Sequence, residues 1–469
     1  MITMSPPRET IKRCLFAVLA LGLLVTAGCI GNEDAGPADS EAAADGTADE
    51  AALEAMTATG DAHDHANPVQ HDVAYNAELL DHLSFVDEGA SGTHALALAG
   101  DTLFASSTLQ GDHGFYAVDV SSPDDMQVVG EWHDERALGG DRSIAASDDG
   151  EWVVLGTEGN TENDEAGVRL FDTSDRTDPQ QVAFLPLDGG AHTVDIKSFD
   201  GATYVFALNY GVQILEIVDT PTGTDLVKVG HYGYAGEEMS DVPDYDNPGN
   251  YPSWGLRSAY AHDMKPIDDP EAGPLLYVAY AYQGMHVLDV SEPSAPELVS
   301  RWTPGGEASP WYTHTVDAEW IDGERTIVVG SEVFEDRHNE TPSPVWILDG
   351  SDLSDPTLES TWTNPAGTGS QELLFSAHFF RIDQGRLHLS HYHAGSWVID
   401  ISSAEQRADP SVVSAYLPNE DTGYRPGTEC CFGFNLGGIP VTMDAVGDGD
   451  VTYAADVQTG LYAIETTAS

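Results

Sequence analysis

The chain has 469 residues, of which 79 are Asp or Glu and 18 are Lys or Arg, so its formal net charge is −61. Binding to nucleic acid through phosphate neutralisation needs clustered basic residues, and this charge balance excludes it. Disorder along the whole chain is also excluded, because 41% of the residues are hydrophobic and 9 Trp, 18 Tyr and 14 Phe are available for a core.

Acidic residues are spread over every segment of the sequence, whereas lysine is nearly absent. The four lysines are Lys12, Lys197, Lys228 and Lys265. This distribution resembles that of proteins from salt-loving archaea, in which molar salt screens the repulsion between like charges. We therefore expect the fold to lose stability at low salt.

Residues 1–28 have the organisation of an export signal. Basic residues, ending in the pair Lys12-Arg13, precede an apolar run from Cys14 to Val25 that is too short for a membrane-spanning helix. Small residues then lead to Cys29, which resembles a lipobox. The pattern predicts that Cys29 is lipidated and anchors the protein on the extracellular face of the cell membrane; export by either the Sec or the Tat route stays open.

Residues 29–74 are rich in Ala, Asp, Glu and Gly and contain no aromatic residue. Such a segment cannot bury enough apolar surface to fold. We predict an acidic, disordered tether that holds the folded part away from the membrane.

A six-residue pattern recurs seven times in the rest of the chain: glycine, apolar, any residue, apolar, apolar, acid. The copies are GFYAVD (114–119), GVRLFD (167–172), GVQILE (211–216), GMHVLD (284–289), PVWILD (344–349), GSWVID (395–400) and GLYAIE (460–465). Their β-branched and aromatic residues predict one strand per copy. A turn of Ser, Pro and Asp follows most copies, and the acid is placed to accept hydrogen bonds from the N–H groups of that turn.

A second strand follows six of the copies but not the last. The segments are MQVVGEW (126–132), QQVAFLP (180–186), DLVKVGH (225–231), PELVSRW (296–302), PTLESTW (356–362) and PSVVSAY (410–416). The missing member is AELLDHL (77–83), which lies upstream of the first copy. We predict an all-β fold over residues 75–469: a seven-bladed β-propeller with four antiparallel strands, a to d, in each blade. The N-terminal strand completes the last blade and closes the ring.

The repeats resemble the LVIVD-repeat family, whose name describes the c strand: YAVDV, RLFDT, HVLDV and WVIDI. The resemblance covers residues 75–469, and the signal and acidity make it a resemblance to secreted lipoproteins of the haloarchaeal type. It implies a propeller but no single activity.

Histidine stands at the start of the predicted innermost strand in five blades. These residues are His94, His192, His262, His314 and His378; Arg142-Ser143 and Gly438-Ile439 lie near this position in the second and seventh blades. Innermost strands line the channel of a propeller, so we expect a histidine ring at the channel mouth. Neutral imidazoles there suit a divalent transition metal, with Asp195 or Asp317 orienting the rings. Structural hydrogen bonds within each blade are the alternative.

A second histidine pair, His391 and His393, is predicted between strands b and c of the sixth blade. On a strand, both imidazoles would share one side. Together with His378 and a neighbour such as His314, they would make a mononuclear metal site. An exposed pair in a solvated loop is equally consistent with the sequence.

Two further features lie in the predicted loops. Cys430 and Cys431 are the cysteines left after lipidation and processing. They predict either a vicinal disulfide that stiffens the loop entering the seventh blade, or a redox or soft-metal role. Asn339-Glu340-Thr341 is a candidate glycosylation site.

Two functions are consistent with the sequence. In the first, a monomeric, lipid-anchored propeller acts as a binding or scaffold module, and its long-loop face binds a protein or a small-molecule ligand. In the second, the channel-mouth histidines hold a metal and the protein is an oxidase or a lyase. The sequence contains no Gly-x-Ser-x-Gly, P-loop or His-Glu-x-x-His motif that would decide between them.

Overall fold

The computed structural model describes residues 73–85, 90–109, 113–134, 137, 144–157, 165–188, 190–208, 211–233, 260–305, 311–332, 343–365, 369–370, 373–418 and 440–468. In these residues the fold is all-β, with one short helix. The predicted seven-bladed β-propeller is confirmed: six sheets have four antiparallel strands, and the seventh has a fifth strand added at its edge.

The strands follow one another around the ring in chain order. Before the first blade come β1 (Val73–Tyr75) and β2 (Ala77–Leu83). Blade 1 contains β3 (Ala90–Ala99), β4 (Thr102–Leu109), β5 (His113–Asp119) and β6 (Gln127–Asp134). Blade 2 contains β7 (Ile144–Ala146), β8 (Trp152–Thr157), β9 (Gly167–Asp172) and β10 (Gln180–Pro186). Blade 3 contains β11 (Thr193–Phe199), β12 (Ala202–Leu208), β13 (Gly211–Thr220) and β14 (Gly223–Gly233).

Blade 4 contains β15 (Asp263–Asp269), β16 (Gly273–Ala279), β17 (Met285–Asp289) and β18 (Glu297–Trp302). Blade 5 contains β19 (Tyr312–Ile321), β20 (Glu324–Glu332), β21 (Pro344–Asp349) and β22 (Thr357–Thr363), and is followed by a short hairpin of β23 (Gly369–Ser370) and β24 (Leu373–Leu374). Blade 6 contains β25 (Phe380–Asp383), β26 (Arg386–Ser390), β27 (Ser396–Asp400) and β28 (Ser411–Leu417), with helix α1 (Ala404–Ala408) between the last two. Blade 7 contains β29 (Thr442–Asp448), β30 (Val451–Asp456) and β31 (Gly460–Thr466).

The N-terminal strand closes the ring, as the sequence predicts. β2 pairs antiparallel with β31, with Ala77 opposite Thr466 and Leu83 opposite Leu461. The innermost strands also contact one another around the ring, from β3 through β7, β11, β15, β19, β25 and β29 back to β3. Strand β1 was not predicted: it begins in the segment assigned to the tether and extends blade 6 by pairing with β28.

The glycine of the repeat pattern marks the point where strands c and d approach each other. A Cβ atom on Gly284 would lie 2.1 Å from the carbonyl oxygen of Trp302, and one on Gly460 would lie 2.1 Å from that of Leu83. Both glycines also have positive φ, 83° and 115°. Any side chain at these positions would push the outermost strand away, which explains why the pattern begins with glycine.

The acid that ends the pattern caps the turn between strands c and d, as predicted. Asp119 accepts a hydrogen bond from the N–H of Ser121 at 2.9 Å, and Asp289 accepts one from Ser291 at 2.8 Å. This bonding favours the ionised carboxylate and lowers the pKa of Asp119. The aspartates of five copies make this bond and so have a local structural role in their turns; they are Asp119, Asp172, Asp289, Asp349 and Asp400.

The hydrophobic core lies between neighbouring blades. One cluster joins blades 5 and 6 and includes Val328, Phe380 and Trp397, all fully buried. Another joins blades 7 and 1 through Tyr453 and Tyr116. Because each blade is covered on both faces by its neighbours, the stability of the ring depends on its closure.

None of the helices found in the described residues has the length and apolar character needed to cross a membrane.

Candidate functional site

A β-bulge at the start of the innermost strands directs the histidines toward neighbouring blades. In blade 4, the N–H of His262 donates to Ala279 O at 2.9 Å, and Asp263 pairs with the same Ala279. In blade 5, the register of β19 with β20 shifts around His314. A bulge places two residues opposite one and changes where their side chains point. The side chains of His262 and Asp263 therefore both reach blade 5.

The imidazoles of blades 3 to 6 form one continuous row, which we call the histidine row. Ring centroids are 4.5 Å apart for His192 and His262, 3.8 Å for His262 and His314, and 4.3 Å for His314 and His378. All four side chains are buried. Four of the five histidines predicted at the channel mouth thus meet side by side.

Hydrogen bonds determine which ring nitrogen of His262 carries the proton. Its Nδ1 lies 3.2 Å from the carbonyl oxygen of His314, and a carbonyl can only accept, so Nδ1 is the protonated atom. In the neutral ring the lone pair is then on Nε2, which accepts from Nε2–H of His192 at 2.9 Å. Both nitrogens of His262 are therefore engaged within the protein.

His314 and His378 have a different arrangement. The hydroxyl of Thr315 donates to the carbonyl oxygen of His378 at 2.9 Å, so it accepts from Nδ1 of His314 at 2.7 Å. Nδ1 of His378 donates to the carbonyl oxygen of Met443 at 2.5 Å. In the neutral form of each ring the lone pair is therefore on Nε2. Burial, reinforced by the neighbouring imidazoles, holds the pKa of His314 well below its usual range and keeps the ring neutral.

Met443 of blade 7 occupies the position that histidine has in blades 3 to 6. It lies at a bulge between Thr442 and Asp444. Its carbonyl oxygen accepts a hydrogen bond from Nδ1 of His378 in the preceding blade, just as the carbonyl oxygen of His314 accepts one from Nδ1 of His262. Gly438-Ile439, which the sequence predicted to lie near this position, is outside the described residues. The row ends at Met443. His94, which is buried in blade 1, lies beyond blade 7.

Glu332 completes the group, although the sequence analysis did not single it out. It ends β20, with 7% of its surface exposed. Its Oε2 lies 3.8 Å from Nε2 of His314, and its Oε1 accepts a hydrogen bond from the hydroxyl of Tyr392. The ligand-capable atoms of His314, Glu332 and His378 lie within 4.8 Å of one another. In the part of the chain that the structure describes, no other set of three His, Cys, Asp or Glu is grouped in this way.

Tyr392 reaches this group because the turn between strands b and c of blade 6 bridges to blade 7. Its N–H and carbonyl both bond to Thr442, at 3.1 Å. Its φ of 47° lies in the left-handed region, which is unusual for tyrosine. The ring of Tyr392 lies 4.8 Å from that of His378. Ala281, at the equivalent position of blade 4, has a φ of 43° and bridges to Thr313 in the same way, so this conformation belongs to the turn.

His391 and His393 do not alternate on a strand as predicted, because β26 ends at Ser390 and residues 391–395 form the turn. The ring of His391 lies 6.3 Å from that of Trp362 in blade 5, and neither of its nitrogens has a hydrogen-bond partner. Burial lowers the pKa of His391 to about 3. His393 is buried as well. Tyr392, between them, is the residue of this turn that contacts His378 and Glu332.

A layer of buried or half-buried charges follows the histidine row along the innermost strands. Its members are Asp195, Asp263, Lys265, Asp317, Arg381 and Asp444. Lys265 Nζ lies 3.5 Å from Asp317 Oδ1, and Arg381 Nη1 lies 3.9 Å from Asp263 Oδ2. Asp317 also accepts from the N–H of Ile382 in blade 6 at 2.8 Å. Asp317 therefore links blades, whereas the sequence analysis considered it as a partner for the imidazoles.

Several predicted features lie outside the described residues. These are the export signal (1–28), Cys29, residues 29–72 of the predicted tether, Arg142-Ser143, Asn339 and the pair Cys430 and Cys431.

Comparison with known proteins identifies one repeat. Residues 272–303 match the family model of the LVIVD repeat. The chain carries an LVIVD repeat. The matched LVIVD segment covers strands b, c and d of blade 4, including the HVLDV sequence of strand c. The match and the seven blades together support the resemblance to LVIVD-repeat β-propellers. No curated protein matches the sequence.

Two solved propellers are similar to this chain at low sequence identity. The β-propeller domain of Myceliophteria thermophila Cps50 (Swd1) has a TM-score of 0.50 and 10% identity, over 83% of this chain and 99% of that one. The WD40 β-propeller domain of Doa1 has a TM-score of 0.48 and 11% identity, over 83% of this chain and 96% of that one. At such identity, the first of these likenesses shows the fold alone.

Proposed function

We propose that the protein is a binding module of the LVIVD-repeat propeller type, displayed outside the cell and anchored to the membrane by a lipid on Cys29. The apolar run, the lipobox-like residues before Cys29 and the acidic composition support the location and a haloarchaeal lipoprotein character. The closed ring of blades supports the binding role, because propellers commonly present one face of a rigid ring to a protein or small ligand.

The observation that carries the binding role is the polar group at the channel mouth. If the histidines were only structural, both nitrogens of each imidazole should bond to other groups of the propeller, as those of His262 do. Nε2 of His314 is instead buried without a hydrogen-bond partner, as is Nε2 of His388 in blade 6, but that of His314 lies 3.8 Å from the carboxylate of Glu332. A buried acceptor in that condition is energetically unfavourable by about 1–3 kcal/mol unless a ligand engages it.

Thermal unfolding with a ligand panel tests this role. The mature chain, with Cys29→Ser, is kept in molar KCl and screened against divalent metals, small carboxylates, phosphates and sugars. His314→Asn is compared with His388→Asn, which alters an equally buried histidine that bonds to Thr452 away from the row. A ligand bound at the channel mouth raises Tm in the wild type and in His388→Asn but not in His314→Asn. A panel without effect, or an equal shift in all three proteins, contradicts the proposal.

The anchor has a separate test. Membrane association of the full chain is compared with that of Cys29→Ser in the native host or a related one. We expect the variant to be released into the medium. Equal membrane association of the two proteins would argue against lipidation at Cys29.

A metal-dependent enzyme is the second candidate, and the carboxylate of Glu332 beside two Nε2 atoms favours it. A catalytic metal site keeps an open coordination position in addition to its protein ligands. With metal bound, turnover of an oxidase or lyase substrate should be lost in Glu332→Gln while the fold is retained. Turnover that persists in Glu332→Gln would exclude this site as its origin.

A further inference from the structure

We infer that the channel mouth holds one divalent transition-metal ion, bound by Nε2 of His314, Nε2 of His378 and the carboxylate of Glu332. The inference rests on the binding site proposed above and names its occupant. It is carried by the geometry of three side chains from two blades and by the proton positions that the surrounding hydrogen bonds impose.

The separations suit an ion after a small adjustment of the side chains. Metal–ligand bonds of about 2.0–2.2 Å place the ligand atoms of a tetrahedral site about 3.3–3.6 Å from one another. His314 Nε2 and Glu332 Oε2 are already 3.8 Å apart, and all three ligand-capable atoms lie within 4.8 Å. Since the widest of the three separations is at most 4.8 Å, the most distant pair of ligand atoms must approach by up to about 1.2–1.5 Å, which rotation of the imidazole and carboxylate side chains supplies.

The ligating tautomer is fixed before any metal arrives. Thr315 and the carbonyl oxygen of Met443 accept the Nδ1 protons of His314 and His378. Metal-binding histidines in proteins characteristically donate their other ring proton to such an acceptor, which orients the ring and increases the basicity of the ligating nitrogen. His314 and His378 therefore have the supporting hydrogen bonds of metal-binding histidines as well as the ligand atoms.

The third ligand is oriented in the same way. The hydroxyl of Tyr392 bonds to Oε1 of Glu332, and this leaves Oε2 directed toward His314. The positive φ of Tyr392, 47°, belongs to the turn itself, because Ala281 at the equivalent position of blade 4 has a φ of 43°. The hydrogen bond to Oε1 is what makes Tyr392 a positioning residue for the carboxylate.

The proton positions also separate ligands from supporting residues within the row. Nε2 of His262 already accepts from His192, so its lone pair is engaged although its ring lies 3.8 Å from that of His314. The ligand set is therefore two imidazoles and one carboxylate, with room for water or another ligand in the remaining positions. Nitrogen and oxygen donors of this kind suit Zn²⁺, Fe²⁺, Co²⁺ or Ni²⁺, whereas Ca²⁺ and Mg²⁺ prefer oxygen ligands alone.

Metal titration of an untagged chain tests the inference. The protein is stripped with a chelator in metal-free molar KCl, its fold is verified by near-ultraviolet circular dichroism, and Co²⁺ is added while the visible absorption is recorded. Bound Co²⁺ and Zn²⁺ are then counted by mass spectrometry. We expect one ion per chain in the wild type and in His388→Asn. In Glu332→Gln and in His378→Asn, affinity should fall at least 100-fold, and the Co²⁺ absorption bands of the bound ion should be lost.

Two results would overturn the inference. The first is folded wild-type protein that binds no ion; the second is unchanged stoichiometry and absorption in Glu332→Gln. Tyr392→Phe provides a finer readout, because it should shift the Co²⁺ absorption bands and weaken binding about 10-fold while one ion remains bound. The proposed binding role is tested separately. If a small carboxylate or sugar stabilises the wild type through His314 but no metal binds, the binding role is supported and only the metal centre is rejected.

Discussion

His262 and His314 lie ring against ring at the boundary between blades 4 and 5, with their centroids 3.8 Å apart and the Nδ1 of His262 bonded to the backbone of His314. His262 therefore supports His314, while its own two ring nitrogens are engaged within the protein. The contact holds two blades together at the start of their innermost strands, and Nε2 of His314 stays buried without a hydrogen-bond partner.

Replacement of His262 should reduce stability without removing the metal. In His262→Asn the bonds to His314 and His192 are lost, so we expect the free energy of unfolding to fall by about 1–3 kcal/mol. Urea titration in molar KCl measures this loss, and one ion per chain should still be found by mass spectrometry. A folded His262→Asn protein with no metal would show that His262 is itself a ligand.

Alanine at Gly284 should separate strands c and d of blade 4. The added Cβ would lie 2.1 Å from the carbonyl oxygen of Trp302, at a φ of 83°. Gly273→Ala is the matched control, because Gly273 has a φ of 80° but no atom within 4 Å of the added Cβ. We expect the control to lose about 1 kcal/mol from the unfavourable φ, and Gly284→Ala to lose about 1–3 kcal/mol more from the collision. Equal losses in urea titration would contradict the explanation given for the glycine of the repeat.

Removal of His391 should make the protein more resistant to acid. Burial lowers the pKa of His391 to about 3, so between about pH 6.5 and pH 3 the unfolded chain takes up a proton that the folded chain does not. Stability contributed by the neutral ring is therefore lost as the pH falls through that window. His391→Met should flatten the dependence of unfolding free energy on pH there. At pH 7 it should leave stability unchanged or higher, because two buried nitrogens without partners are removed. A less stable variant whose pH dependence matches the wild type would contradict this.

Salt should stabilise the fold strongly. With a net charge of −61, repulsion between carboxylates opposes the compact state, and molar salt screens it. We expect Tm to rise steadily between about 0.2 M and about 3 M KCl. At the upper end of this range the Debye length is below about 3 Å. Sucrose, which does not screen charge, is the control. A Tm that is independent of KCl, or that rises equally in sucrose, would remove the halophilic interpretation.

The sequence predicted the fold well because the repeat is determined locally. Gly284 and its equivalents are required by the close approach of strand d, and acids such as Asp289 cap the following turn. Both demands recur in successive blades, so they leave a periodic signal. The closing strand, 77–83, was recognised for the same reason.

The site was predicted only in part, because its geometry depends on features that leave little signal in the sequence. The bulge that directs His314 toward its neighbours cannot be read from the alternation of side chains. Glu332 is one of 79 acids, and only its place at the end of strand b, equivalent to that of Tyr392 in blade 6, distinguishes it. The contact between Tyr392 and Glu332 joins residues 60 positions apart, and Tyr392 makes it from the turn between strands b and c that also holds His391 and His393.

Anomalous diffraction from crystals of the zinc-loaded chain, measured at the zinc absorption edge, would locate the ion directly. We expect one anomalous peak per chain at the channel mouth, about 2.0–2.1 Å from Nε2 of His314 and of His378 and about 2.0–2.2 Å from an oxygen of Glu332. A well-ordered channel mouth with no anomalous peak there, or with the peak bound by other residues, would contradict this expectation.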